Sequence, residues 1–138
     1  MANSILCRGA GLLLGAGLLV PGAAAQTDAE LQARLVGPWR EERTVGCFKH
    51  QHQVRLKDDG SFEANGLIDD CGKATLFVWR GTWAVRSFRF VYVTTYSNAP
   101  ERFPAGSKIE DEIISVTADE WIMLEQASGQ RSVAQRVK

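Results

Sequence analysis

The chain has 138 residues, 45% of them hydrophobic and 23% charged, with 16 basic side chains against 16 acidic ones and no net charge. The two signs are interspersed and form no basic stripe, which removes the electrostatic basis for binding nucleic acid or an anionic membrane. A chain of this length accommodates one domain with a modest core.

Residues 1–25 read as a secretory signal peptide. Arg8 supplies the positive start, Ala10 to Val20 the apolar stretch, and Ala23-Ala24-Ala25 a small-residue cleavage site before Gln26. The apolar stretch is well short of the ~20 residues a spanning helix needs, and Pro21-Gly22 ends it, so no membrane span is expected after cleavage. Cys7 precedes the apolar stretch, where a lipidated cysteine would follow it. Cys47 and Cys71 stay with the exported chain, and a pair of cysteines in an oxidising compartment is expected to form a disulfide. The expected location is periplasmic or secreted, with the folded domain spanning residues 26–138.

The first predicted element is a short helix over Asp28–Val36. Thr27 or Asp28 caps it, Leu31 and Leu35 share one face, and Gly37 stops it. Its length suits a plug at one end of a barrel.

From Trp39 onward the apolar residues alternate at period two. Strand-rich segments fall at 39–45, 47–57, 61–69, 75–85, 88–96, 108–117, 121–127 and 130–137. Turn signals separate them at Asp58-Asp59-Gly60, Asp69-Asp70-Cys71-Gly72, Arg86-Ser87, Ala118-Asp119 and Ser128-Gly129. The fold class is therefore all-β: a small up-and-down antiparallel β-barrel of seven or eight strands with a short N-terminal helix. Closure would remove the exposed edges of such a sheet.

The turn at Asp58-Asp59-Gly60 sets a testable register. A three-residue loop with Gly60 in the left-handed conformation puts Lys57 opposite Ser61. Cys47 then falls opposite Cys71, Arg55 opposite Glu63 and Lys49 opposite Asp69. On the other face the same register pairs Leu56 with Phe62, Val54 with Ala64 and His50 with Ile68. The disulfide is thus expected to staple the open end of this hairpin on its outer face. In the next hairpin a two-residue turn at Arg86-Ser87 would pair Trp83 with Phe90, Trp79 with Thr94 and Phe77 with Tyr96, making one face an aromatic wall.

Several residues are candidates for chemistry. His50 and His52, at i, i+2, share the face of Val54 and Leu56 and would point into a barrel. There they could ligate a metal or haem, or hold an acidic group of a ligand; a bend at the rim would instead leave them in water. With no spaced third ligand, no metal site is assigned and no cofactor is expected. Phe77, Trp79, Tyr92 and Tyr96, with Trp83 and Phe90, would either fill the core or bound a shallow pocket. Ser97 to Lys108 is the longest connection, and Phe103 is its apolar tip, suited to gating a barrel mouth or touching a partner. The acidic runs Glu41-Glu42, Asp58-Asp59 and Glu110-Asp111-Glu112 read as solvated faces. The chain has no Gly-x-Ser-x-Gly elbow and no His-Glu-x-x-His motif, and reads as a non-enzyme.

Leu35-Val36-Gly37-Pro38-Trp39, Asp59-Gly60-Ser61-Phe62 and Gly81-Thr82-Trp83, in this order, are similar to short bacterial lipocalin-like domain proteins of the calycin type. The resemblance implies an antiparallel barrel over most of residues 28–138. It also implies that Gly37 and Trp39 close one end, with Arg131 or Arg136 stacked on Trp39. The function expected on these grounds is binding of a small apolar or amphipathic molecule. The alternatives are an envelope protein-interaction or inhibitor module acting through its surface and the 97–108 loop, and a haem or metal binder using His50 and His52.

Overall fold

The computed structural model describes residues 26–138, so the expected signal peptide lies outside the described residues. After helix α1 (Asp28–Leu35) the chain runs through β1 (Gly37–Val45), β2 (Phe48–Leu56), β3 (Ser61–Asp70), β4 (Lys73–Arg86), β5 (Arg89–Ser97), β6 (Lys108–Val116), β7 (Glu120–Leu124) and β8 (Arg131–Arg136). These eight strands pair in chain order and close into a barrel, because β8 returns to β1 through Trp39–Arg136 and Glu41–Ala134. Among the described residues no helix is long and apolar enough to cross a membrane.

Helix α1 seals one end. Thr27 and Glu30 form a reciprocal capping box, which satisfies two of the free N–H groups at the helix start. Leu31 and Leu35 are buried beneath it. Trp39 is fully buried and donates from Nε1 to the Leu35 carbonyl at 2.7 Å. The Arg136 guanidinium lies 3.9 Å from the centroid of the Trp39 ring and donates to the carbonyls of Val36 and Arg34, groups the short helix leaves free. Of the two arginines that the resemblance offered, Arg136 is the one that stacks.

The β2–β3 ladder has the expected register at every pair from Phe48–Asp70 to Leu56–Phe62. Gly60 has φ +82°, and Asp59 holds the turn by accepting from the N–H and hydroxyl of Ser61. Cys47 and Cys71 are disulfide-bonded with Cα atoms 4.8 Å apart. The bond joins the β1–β2 turn to the β3–β4 turn, at the barrel end away from α1.

The β4–β5 hairpin corrects the expected register. Its turn is Ser87-Phe88, so Val85 pairs with Phe90, Trp83 with Tyr92 and Gly81 with Thr94. Both turn residues have positive φ, 49° and 61°, unusual for residues with side chains. The Asp28 carboxylate supplies the compensation, accepting from both turn N–H groups at 2.7 and 2.8 Å. A bulge at Arg80/Gly81 then inserts one residue in β5, and Tyr96 lands opposite Arg80 on the outer face.

Gly81 allows that bulge. A Cβ there would stand 1.8 Å from the Val93 carbonyl oxygen and 2.8 Å from the Phe62 ring, with backbone on one side that does not yield. Gly81→Ala is expected to destabilise by about 1–3 kcal/mol through overpacking, read as a lower urea midpoint with unchanged slope. An unchanged midpoint would mean that the strands are not in this close contact.

Candidate functional site

Period-two alternation sends one residue in two inward, and in this barrel the inward set leaves a cavity of about 280 Å³. Trp39, Phe62, Phe90 and Trp121 form its base. Trp39 and Trp121 meet edge to face at 5.8 Å, and Phe90 packs on Trp121 at 4.7 Å between centroids. Trp79 and Tyr92 rise along the sides. The mouth lies at the end opposite α1. Over it the 98–107 connection folds back, pinned where the Asn98 side chain accepts from Val78 N–H and where Phe103 N–H donates to the Ala99 carbonyl. Phe103 turns into the barrel and stacks parallel on Trp79, with centroids 4.5 Å apart.

A band of polar groups crosses the cavity between base and mouth. β1 carries Glu41 and Arg43 inward beside His52 and His50, their partners on β2. Arg43 pairs with Glu125, which follows β7, and lies 3.5 Å from Glu41. His52 Nε2 is 3.8 Å from Glu41 Oε2. Asp111, from β6, accepts from the Gln126 N–H at 3.1 Å.

Burial sets the charge states of this band. It pushes the Glu41 carboxyl up to about 7, with Glu125 and Asp111 adding repulsion and Arg43 opposing. Burial, then the neighbouring His50 and Arg43, hold His52 down to about 3, so at neutral pH its contact with Glu41 is dipolar. His50 is lowered for the same first reason, and Asp111 is raised by burial against the Gln126 hydrogen bond. The Tyr92 phenol is raised by burial and then by Asp111, Glu125 and Glu41.

These shifts carry opposite signs into stability. Glu41 binds its proton more tightly when folded, so its contribution is lost as pH rises from the ordinary 4.5 to about 7. His52 is depressed when folded, so its contribution is lost as pH falls from 6.5 towards about 3. Between 4.5 and 6.5 the two slopes oppose each other. Relative to the unaltered protein, Glu41→Gln should gain stability as pH rises through this window, by at most about 1.4 kcal/mol per pH unit. Chemical denaturation at several pH values measures it. Parallel profiles would contradict a Glu41 that stays protonated in the fold.

Of the residues expected to form a site, His50, His52, Trp79, Tyr92 and Phe103 line the cavity together. Phe77 is buried and packs on His50, Trp79 and Phe103 from behind. Tyr96 does not join them: the bulge turns it outward, where it is half exposed with Arg80 over its ring. Glu41 and Asp111 correct the expectation of solvated acidic faces, whereas Glu110 and Glu112 do point away from the cavity. Sequence reasoning missed Arg43 and Glu125 as well. The signal for β1 was present, since alternation from an inward Trp39 carries Glu41 and Arg43 inward. Among the described residues, no three His, Cys, Asp or Glu side chains are grouped to hold a metal ion.

The protein is thus a closed eight-stranded antiparallel barrel, sealed by a helix at one end and open to a cavity at the other, an architecture consistent with a calycin-like fold. No protein-family model matches the chain, and no curated protein matches it either.

Proposed function

We propose that this is an exported, non-enzymatic lipocalin-like protein that takes a small apolar or amphipathic molecule into its barrel. The cavity carries the reading: about 280 Å³ with aromatic walls and a polar band, at the lower edge of the ~300–1,000 Å³ typical of ligand sites. That volume suits a compact ring or a short chain. The Gly37-x-Trp39 opening, with Arg136 stacked on the indole, supports the lipocalin-like assignment. The Cys47–Cys71 disulfide supports a periplasmic or secreted location. Phe103 stacked on Trp79 supports a gate over the mouth in preference to a docking tip for an envelope protein.

Native mass spectrometry of the protein purified from its own host tests this. The expected result is an additional small mass that is lost on mild activation and reduced in a Phe103→Ala variant washed in parallel. A bare polypeptide mass, together with no displacement of an apolar fluorescent dye, would overturn the reading.

A further inference from the structure

Resting on that cavity reading, we propose that the ligand is a cation: a small amine or related ammonium compound with an apolar, aromatic-compatible body. Glu41, Asp111 and Glu125 all enter the cavity, and Arg43 is the one arginine or lysine among its described lining residues. Arg43 is already committed to Glu125 and only approaches Glu41. Asp111 has a single backbone N–H for compensation. Burial disfavours the charged form of the remaining candidate cations, His50 and His52, most strongly at His52, which it holds down to about 3.

This imbalance discriminates between ligands. An anion would meet the Asp111 carboxylate, and Glu41 wherever it ionises, where burial limits screening by solvent. A neutral molecule would leave the mismatch in place. An ammonium group supplies the missing charge and is compatible with the aromatic side chains, Trp79, Tyr92 and Phe103, that line the cavity beside it. Without ligand, the protein relieves the mismatch by keeping a proton on Glu41, which burial holds up to about 7. An entering ammonium would replace that proton. Below neutrality, binding should therefore release a proton and strengthen as pH rises.

A second observation adds polarity to the cavity wall. Trp79 and Trp121, 6% and 2% exposed, both wall the cavity. Their indole Nε1 atoms, with His52 Nδ1 and His50 Nε2, have no hydrogen-bond partner among the described residues. Unpaired buried indole N–H groups and imidazole nitrogens of this kind are costly, and the wall that carries them is polar as well as aromatic.

Titration calorimetry on the disulfide-bonded protein with 2-phenylethylamine, 2-phenylethanol and 3-phenylpropionate decides the matter. The amine should bind about tenfold or more tighter than the alcohol, and the carboxylate weakest. At pH 6 the amine's heat should depend on the buffer in the sense of proton release. Glu41→Gln should abolish that release and shrink the ratio of amine to alcohol affinity, and Asp111→Asn should shrink the ratio if the first variant does not fold. An alcohol that binds as tightly as the amine overturns the charge assignment and leaves the cavity reading standing. If none of the three binds at millimolar concentration, the cavity reading falls too.

Discussion

Trp39→Ala is expected to cost about 3–5 kcal/mol of stability, the range for removing a large aromatic side chain from a packed core. The indole is wholly buried and holds three separate parts of the molecule. Its Nε1 bonds the end of α1 through the Leu35 carbonyl, its edge meets Trp121 of β7, and its face carries Arg136 of β8. Removing it would also leave the Arg136 guanidinium with carbonyl partners but no ring to lie on. Trp39→Phe separates these effects: it keeps a ring but removes the donor to the buried Leu35 carbonyl, at about 1–3 kcal/mol for the group left unpaired. Denaturant unfolding measures both. A Trp39→Ala variant within 1 kcal/mol of the unaltered protein, by the ~25 cal/mol per Å² scale of burial, would mean that the helix end is not sealed this way.

Removing the disulfide comes next in size. Cys47 and Cys71 are 24 residues apart, and for a loop of that length the chain-entropy argument gives about 3.5 kcal/mol. The Cys47→Ser, Cys71→Ser double variant should lose roughly that amount and unfold with a steeper denaturant dependence, since its unfolded chain exposes more surface. The β2–β3 register should survive, because the Asp59–Ser61 hydrogen bonds and Gly60 set it from the opposite end. The mouth should loosen, since the bond joins the two hairpin turns beside His50. A loss below ~1 kcal/mol would place the stabilisation elsewhere.

Legibility in the sequence followed the locality of the cause. The β2–β3 register could be read because Asp58-Asp59-Gly60 dictates its own turn, and charge pairs, apolar pairs and cysteines all agree with it. The place of Trp39 could be read from a short motif. The Ser87-Phe88 turn could not, because the carboxylate that stabilises it belongs to Asp28, 59 residues away along the chain. Tyr96 was misplaced for a related reason: a single bulge reverses every residue after it, and bulges follow from close approaches such as Gly81 to Val93. Glu41 and Asp111 were misread because charged runs usually face water. The alternation of β1 from the inward Trp39 points the other way and prevails over residue type. The polar band is thus a site at which local preference and fold disagree, as functional sites often do.

The four indole N–H groups offer the most direct test that the cavity receives a ligand. Trp39 Nε1 is bonded to Leu35 and Trp83 Nε1 to Lys57, whereas those of Trp79 and Trp121 have no partner among the described residues. Nitrogen-15 correlation spectra recorded during titration with 2-phenylethylamine should move the Trp79 and Trp121 indole resonances with saturation, while that of Trp83, which does not line the cavity, stays in place. Saturable shifts confined to outer-face residues such as Tyr96 and Leu76, with all four indole signals unmoved, would contradict a ligand held inside the barrel.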